Sequence, residues 1–413
     1  MSRPVLRLML ARLISEAGTF AAIFIGIWGK SSFRLHATPR QMAVSAAVSG
    51  LSGIVGGLAA GLLIDRSDPR RVLIGAELFA VPAVLILMIP ETIWAFIAVV
   101  PFAAFFGGFI VTSMASFAPY LAENETGLQK TNVAIEIASS GAMVFGPAIG
   151  AVIAKTWGID GVFVADAASS VIAVALLARL RLRSIEKRPR ARPSAELREG
   201  IRYAATNRGV RLYIVSGAAI WFSYGAFAAL EVLFYRDVLH SGPGLLGWVL
   251  STFGAGLACG ALLLNRLPVK SISARTLLLL MLVLSAGEIT YVATSNLAIV
   301  YVGNVVWGVA MGAAFPMVRT LVQRETPDRL VGRVMGSSVT LNRGAQMIPL
   351  TFVGALAVAF GVQKVLTAAG VVLAVLSATG LLEARAVDRT RRTIVQKPQP
   401  DPAIAEAATR GLL

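Results

Sequence analysis

The sequence predicts an all-α integral membrane protein whose helices form two related halves of six helices each. Three observations support this prediction. The chain of 413 residues is 56% hydrophobic and only 15% charged, whereas soluble domains are closer to a quarter charged. Apolar runs of roughly 20 residues, the length that crosses ~30 Å of hydrocarbon, recur along the whole chain. Segments from the first and second halves of the sequence also resemble each other.

The apolar runs give twelve candidate membrane spans. Each is predicted to be a helix, because in lipid every backbone polar group must be bonded within its own segment. A transmembrane β-barrel would instead show alternating strands of about ten residues, and the sequence shows none. The predicted spans are 5–28, 41–64, 71–89, 92–121, 131–154, 158–180, 211–235, 244–265, 274–293, 296–318, 333–358 and 361–382.

The basic residues are distributed unequally between the loops. With both termini in the cytoplasm, 29 of the 38 Lys and Arg lie on the cytoplasmic side, six lie outside and three lie within spans. This bias is the one described by the positive-inside rule. It predicts a multi-pass protein of the cell (inner) membrane with both termini cytoplasmic. The net charge of +16 therefore reflects membrane orientation, and no nucleic-acid partner is predicted.

The longest polar interruption separates the first six spans from the last six. It begins as a basic linker, and after Ser194 apolar and charged side chains alternate. This pattern predicts a short amphipathic helix on the inner membrane surface, with a solvated basic loop as the alternative. We predict four parts: an N-terminal bundle (1–180), the cytoplasmic linker (181–210), a C-terminal bundle (211–384) and a disordered cytoplasmic tail (385–413).

Two stretches of the first half match stretches of the second half at nearly the same offset. GGLAAGLLIDR (56–66) aligns with GLACGALLLNR (256–266) after a shift of 200 residues. ENETGLQK (123–130) aligns with ETPDRLVG (325–332) after a shift of 202. Both matches lie at the inner ends of corresponding spans, which indicates that the halves arose by duplication.

The loop between the second and third spans, GLLIDRSDPRR (61–71), concentrates charge in an otherwise apolar region. It resembles a signature of the major facilitator superfamily: glycine, three residues, Asp-Arg and then a basic pair. It departs from the pattern at Asp68 and Pro69. An Asp at that place is common in the macrolide-efflux-like and enterobactin-exporter-like proteins of the superfamily. The matching residues are Gly61, Asp65, Arg66, Arg70 and Arg71.

The resemblance implies that this charged loop is an inner gate, held closed while the transporter faces outward. Gly53, Gly57 and Gly61 recur every four residues and would let another helix approach closely. Asp65 would then lie at the inner end of that contact and pair with Arg66 or with an arginine of the other half. An ordinary positive-inside loop is the alternative.

A second match lies in the fifth predicted span, GAMVFGPAIGA (141–151). It resembles the antiporter motif of the drug-export branches of the superfamily, with Ala151 in place of a final glycine. A proline inside a helix removes one backbone hydrogen bond and kinks the helix. The motif occurs mostly in exporters, so the resemblance implies export, although glycine and proline are common in membrane helices generally. The matching residues are Gly141, Gly146, Pro147 and Gly150.

Similarity to the same subgroup covers most of the chain. It implies the twelve-helix major facilitator fold and a monomeric secondary transporter that exports a small amphiphilic molecule by alternating access, in exchange for protons. A siderophore exporter or a lysolipid flippase on the same scaffold is the alternative, followed by a channel or a membrane-embedded enzyme. The further similar stretches are RLISEAG (12–18), LREGIRYAATN (197–207), YRDVLHSGPGLLGWVLSTFGAGLACGALL (235–263) and PDRLVGRVMG (327–336).

The sequence predicts no enzyme, cofactor or metal site. Cys259 is the only cysteine, and His36 and His240 fall in separate predicted outside loops, so a thiolate or histidine metal centre is not expected. The sequence also has no phosphate-binding loop of the G-x-x-x-x-G-K-[ST] type, so ATP is not expected to drive the protein. The predicted partners are a small-molecule substrate, protons and the lipid bilayer.

Five ionisable residues inside predicted spans are candidates for proton coupling or substrate binding. Charged groups at membrane depth are expensive, and they are functional candidates by default. Glu16 lies about eleven residues into the first span, ~16 Å deep at ~1.5 Å per residue, and Arg12 precedes it by one turn and can pair with it. A permanent ion pair is the alternative. For the coupling proton we rank Glu16 first, Asp166 second and Glu288 third; the full set is Glu16, Arg12, Asp166, Glu288 and Arg343.

Overall fold

The computed structural model describes residues 3–121, 125–180, 193–268 and 271–396. These residues form helices and short connections without strands, which confirms the predicted all-α class. Among the described residues, eleven helices are long and apolar enough to cross a membrane. One of them, Lys130–Leu177, has 48 residues and would span ~72 Å if straight, more than twice the hydrocarbon thickness. Gly158 breaks it with φ 76° and ψ 173°, and counting it as two crossings gives twelve.

The helices follow one another with short connections. Two π-helical segments, Ala22–Ile27 and Lys30–Arg34, continue the first helix. In chain order the helices are α1 (Arg3–Ala21), α2 (Pro39–Arg66), α3 (Pro69–Leu85), α4 (Ile93–Ala115), α5 (Ala118–Leu121), α6 (Glu125–Leu177), α7 (Pro193–Thr206), α8 (Arg208–Asp237), α9 (Pro243–Arg266), α10 (Ala274–Val292), α11 (Leu297–Glu325), α12 (Asp328–Leu350), α13 (Val353–Phe360) and α14 (Val362–Gln396).

The segments outside the predicted bundles are partly helical. In the linker, α7 begins at Pro193 and its Tyr203 hydroxyl donates to the carbonyl of Glu325, at 2.8 Å; residues 181–192 lie outside the described part. The last helix, α14, continues to Gln396, into the segment for which disorder is predicted. Four of the twelve residues from 385 to 396 are arginine, which is a good helix former.

The two halves repeat one packing pattern. In the N-terminal half α2 packs on α4, α3 packs on α4 and α6, and α1 packs on α6. In the C-terminal half α9 packs on α11, α10 packs on α11 and α14, and α8 packs on α12 and α14. Corresponding helices therefore have corresponding neighbours, as expected for duplicated halves.

The register of one helix crossing repeats to the residue. A Cβ atom on Gly56 would collide with the carbonyl of Phe105, and a Cβ atom on Gly256 would lie 3.0 Å from the carbonyl of Val305. Each residue of the second pair follows its counterpart by 200 positions, the offset found in the sequence. The opposite sides of the two crossings correspond in the same way: Gly108 lies against Gly53, and Gly308 against Phe253.

The turns that end α1 and α8 correspond as well. They read LHATP (35–39) and LHSGP (239–243), and His36 and His240 have φ angles of 50° and 48°. Positive φ is uncommon for residues other than glycine. The amide of Ala37 donates to the carbonyl of Ser31, as the amide of Ser241 does to that of Tyr235, both at 2.9 Å. The two histidines, which lie in separate predicted outside loops, therefore occupy equivalent helix-ending turns.

The halves meet at one end of the bundle. We call the end near α7 the linker end, and the end that contains the two Leu-His-x-x-Pro turns the far end. At the far end Arg236 of α8 donates to the carbonyls of Ser32 and Ala37, at 3.0 and 2.9 Å, and Gly354 of α13 packs on the start of α2. Met347 of α12 packs on Gly50 of α2, but at Gly336, three turns nearer the linker end on the same face of α12, a Cβ atom would meet no described atom within 4 Å. The cleft between the halves therefore widens towards the linker end.

Candidate functional site

The first predicted pair lies at the contact of α1 with α6. Arg12 and Glu16 form an ion pair of 2.7 Å, and the Arg12 Nε donates to the Ser139 hydroxyl at 2.7 Å. Both side chains are buried. One Glu16 oxygen and one Arg12 nitrogen have no hydrogen-bond partner in the described part of the chain, so the pair keeps unused hydrogen-bonding capacity at membrane depth.

Two more buried carboxyl groups, one on α3 and one further along α6, face α1. Glu77 of α3 accepts a hydrogen bond from the Ser15 hydroxyl at 2.8 Å. Asp166 of α6 accepts one from Thr19 at 3.5 Å. A Cβ atom on Gly18 would collide with the Ser169 hydroxyl and lie 2.9 Å from the Asp166 carboxylate, so glycine at this position lets this part of α6 approach α1. The N-terminal half thus groups three acidic side chains around two turns of α1.

A second acidic group is buried between α8 and α10 in the C-terminal half. Glu288 accepts from the Ser223 hydroxyl at 2.8 Å, and its other oxygen has no hydrogen-bond partner. Glu231 accepts from the Tyr291 hydroxyl at 2.6 Å, and that hydroxyl lies 2.6 Å from the hydroxyl of Tyr235. Neither glutamate forms an ion pair within the described part of the chain. These side chains form a buried polar column that leads towards the far end.

Two members of these groups, Glu77 and Glu231, are not among the candidates predicted from the sequence. Each is a lone acid in an apolar run, LIGAELFAV (73–81) and FAALEVLFY (227–235), which is the signal that identified Glu288. Lys30 is one of the six basic residues that the sequence places in outside loops, and its placement in a loop is wrong. The π-helical continuation of α1 carries Lys30 inward, where its ammonium donates to the carbonyls of Leu87 and Met88 at 2.7 and 2.8 Å.

The predicted inner-gate residues lie at the linker end of the N-terminal half. Arg70 donates to the carbonyl of Leu180 at 2.6 Å, within its own half, while Arg66 and Arg71 are exposed. The side chain of Asp65 lies outside the described part. Asp68, the departure from the family pattern, accepts from the amide of Arg70 at 2.8 Å and caps α3.

The glycine stripe that precedes this loop packs only in part. A Cβ atom on Gly53 would lie 3.4 Å from the carbonyl of Ala104, and one on Gly57 would lie 2.9 Å from the Thr112 hydroxyl, both in α4. A Cβ atom on Gly61 would meet no described atom within 4 Å, so the close packing of α2 on α4 does not continue to the linker end.

The predicted antiporter motif lies at the seam between the halves. Cβ atoms on Gly146 and Gly150 would lie 2.7 Å from the carbonyl of Ala17 and 2.9 Å from the Cβ of Ala21, and one on Gly141 would lie 3.2 Å from Leu13, all in α1. The carbonyl of Pro147 faces the other half, 2.5 Å from a Cβ position on Gly247 of α9. The motif therefore packs α6 on α1 on one side and on α9 on the other.

Arg343 stands apart from the acidic groups. It lies on α12 with its guanidinium 5.4 Å from the ring centre of Trp221, and it donates to Gln346 at 3.5 Å. Trp221 in turn stacks on Phe315 of α11 at 5.1 Å. The fifth candidate from the sequence thus belongs to an aromatic group in the C-terminal half.

Comparisons with known proteins place these features in a family. The family model described as Major Facilitator Superfamily matches residues 8–348 and 212–410. The chain is similar to the "Uncharacterized MFS-type transporter YfiS" of Bacillus subtilis, 22% identical over 95% of this chain and 96% of that protein. It is also similar to the "Multidrug efflux pump Tap" of Mycobacterium tuberculosis, 25% identical over 87% of this chain and 88% of that protein. "Macrolide efflux protein A" of Streptococcus pyogenes is 24% identical over 51% of this chain and 53% of its own length.

Solved structures share the fold. The nucleoside transporter NupG superposes with a TM-score of 0.74 at 12% identity, covering 92% of this chain and 99% of that one. A bacterial homologue of the iron transporter ferroportin in an inward-facing state superposes with a TM-score of 0.66 at 17% identity, covering 92% and 100%.

Proposed function

The chain belongs to the major facilitator superfamily and is a multi-pass membrane transporter rather than an enzyme, and from this premise we propose that it exports a small amphiphilic molecule in exchange for protons. Export is supported mainly by the seam formed by Gly146, Pro147 and Gly150, which packs α6 on α1 and on α9 of the other half. Its sequence resembles a motif found mostly in exporters. Relatives named as efflux pumps support the same direction.

Alternating access fits the way in which the halves meet. The cleft widens towards the linker end, and the basic-residue distribution assigns that end to the cytoplasm. Cargo would enter the cleft from that end, where α1 and α12 are the nearby helices. Release outside requires the far-end contacts to break while the linker end closes, which is the rocking of two repeats around a central site.

Proton coupling is assigned to Glu16 in this proposal. Its ion pair with Arg12 lies beside the seam. Arg12 also contacts Ser139, which belongs, like the seam residues, to the part of α6 that precedes Gly158. Protonation of Glu16 would remove the negative charge and leave the Arg12 cation unbalanced at membrane depth, which is costly. The packing of α1 on α6 would then change with the protonation state, and so would the relation of the two halves.

The test is a transport assay with a panel of labelled compounds. Cells with and without the protein are loaded with drug-like compounds, siderophores and lysolipids, and retention is followed with and without a protonophore. Lower retention of some compounds, restored by the protonophore, is the expected result. Unchanged retention across the panel would reject export of these classes, and efflux that resists the protonophore would reject proton coupling.

The first prediction concerns orientation. In a cysteine-free background, Ser241→Cys at the far end should react with an impermeant thiol reagent added to intact cells, whereas Ser194→Cys in the linker should react only after lysis. The reason is the accumulation of basic residues on the linker side. Labelling yield on a gel is the measurement. Reaction of Ser194→Cys in intact cells would show that the linker is outside.

The second prediction concerns the predicted inner gate. Asp65→Asn should impair transport while expression and topology remain normal, because the amide keeps the shape of the side chain but loses its charge. The counterpart Asn265 is already neutral, so Asn265→Asp serves as the matched control and should have a smaller effect. Uptake and efflux rates per folded protein are the measurement. Normal rates in Asp65→Asn would leave the loop only a topological role.

A further inference from the structure

We infer that Arg343 is the part of the cargo site that binds an anionic group, so that the exported amphiphile carries a carboxylate, sulfonate or phosphate beside an aromatic or apolar body. This inference rests on the proposed transport function and specifies the chemistry of its substrate. Four observations support the inference: the depth of the guanidinium in the membrane, its available hydrogen-bond donors, its position in the cleft and the aromatic surface next to it.

Arg343 lies near the middle of the membrane. α12 and α13 belong to one candidate span, Arg329–Phe360, and position 343 divides it almost equally. At this depth a guanidinium without a counter-charge is expensive. Within the described residues it forms no ion pair, and its hydrogen bond to Gln346 is long, at 3.5 Å. Most of its five donors are therefore available to a ligand.

The side chain faces the cleft rather than the interior of its own half. Met347, one turn further along α12 and on the same face, packs on Gly50 of α2 in the other half. On the linker side of Arg343 the same face continues through Gly336, where a Cβ atom would meet nothing within 4 Å. Arg343 is itself exposed. It therefore lies where the contact between the halves ends and the open cleft begins.

An aromatic surface accompanies the charge. The guanidinium lies 5.4 Å from the ring centre of Trp221, which stacks on Phe315 at 5.1 Å and meets Tyr224 edge to face at 5.7 Å. Contact with an aromatic face orients an arginine and leaves the edge of its planar fork free for an anion. The buried acids Glu231 and Glu288 are bonded within the half. Arg343 and its aromatic neighbours thus favour anionic ligands with an aromatic or apolar body over cationic ligands.

The test uses two probes that differ by one charged group. The purified full-length protein in phosphatidylcholine nanodiscs is titrated with 8-anilinonaphthalene-1-sulfonate and with the uncharged N-phenyl-1-naphthylamine, with empty nanodiscs as background. The variants are Arg343→Gln, Arg343→Lys and the control Arg329→Gln on the same helix. We expect Arg343→Gln to weaken binding of the sulfonate by about tenfold or more, the effect of one lost charge-assisted hydrogen bond. Binding of the neutral probe should not change, and Arg329→Gln should match the wild type.

Arg343→Lys keeps the positive charge but loses the planar guanidinium that can donate two parallel hydrogen bonds, so intermediate affinity for the sulfonate is expected. Equal sulfonate affinity in Arg343→Gln and wild type would overturn the inference, as would equal loss of both probes with unchanged thermal unfolding. Adding phosphatidylglycerol to the nanodiscs separates two sources of the anion: competition with the sulfonate would identify a lipid headgroup as a ligand of the same site. Because the assay measures binding alone, a protein that shows no efflux in the compound panel can still pass it.

Discussion

Glu16→Gln is expected to reduce efflux driven by a pH gradient to the background level while substrate binding persists. Glutamine retains the size of the side chain and a hydrogen-bonding oxygen, but it cannot exchange a proton or balance the charge of Arg12, 2.7 Å away in the wild type. The measurement is efflux from proteoliposomes with an imposed pH gradient, compared with equilibrium binding of the same compound.

Glu91→Gln, in an exposed position of the far-end loop, is the matched control and should transport normally. Exchange of labelled for unlabelled substrate without a gradient separates coupling from substrate translocation, and the Glu16 variant should retain some of this exchange. Undiminished gradient-driven efflux by Glu16→Gln would remove Glu16 from the coupling mechanism. The next candidates are then Asp166 and Glu288, each tested as the amide.

Gly108→Ala is expected to destabilise the protein by about 1–3 kcal/mol or more, although alanine is the better helix former. A Cβ atom at position 108 would collide with the carbonyl of Gly53, so α2 and α4 would have to separate along their crossing. The position of the added Cβ atom is fixed by the backbone and its partner is a backbone carbonyl, so neither can rotate away. The measurement is thermal unfolding in detergent, followed by the amount of monodisperse protein that survives heating.

The neighbouring substitution Gly107→Ala supplies the control. A Cβ atom at position 107 meets nothing within 4 Å, so alanine should raise the stability by up to about 1 kcal/mol through helix propensity alone. The two variants differ by one position in the same helix and have opposite expected signs. If both variants unfold at the wild-type temperature, the close crossing of α2 and α4 does not occur in the membrane protein.

The sequence predicted the features of this fold that depend on local composition. Span length follows from hydropathy, and the ion pair of Arg12 with Glu16 follows from a spacing of one helical turn. The offset of 200 residues between the halves predicted that Gly56 and Gly256 are equivalent, and both lie at the same crossing. Each of these inferences needs only one helix or one alignment.

Interactions between distant helices could not be predicted in this way. Glu231 bonds to Tyr291, 60 residues away, and nothing in either helix alone specifies that partner. Lys30 bonds to carbonyls 57 and 58 residues away, so a residue that resembles a loop lysine in the sequence is buried in the structure. The count of charges in a span identifies such residues as unusual, but the packing of the helices decides which of them meet.

The contact of Arg236 with Ser32 and Ala37 bears on how the two halves have diverged. Positions 32 and 236 correspond when the Leu-His-x-x-Pro turns are aligned, so the arginine reaches the equivalent of its own position in the other half. It does so through main-chain carbonyls, which every residue type provides. A single substitution in one copy was therefore sufficient to create the bond, without a matching change in the other copy. The bond itself places no requirement on the side chains at 32 and 37, which only their burial restricts, whereas it does require the guanidinium at 236.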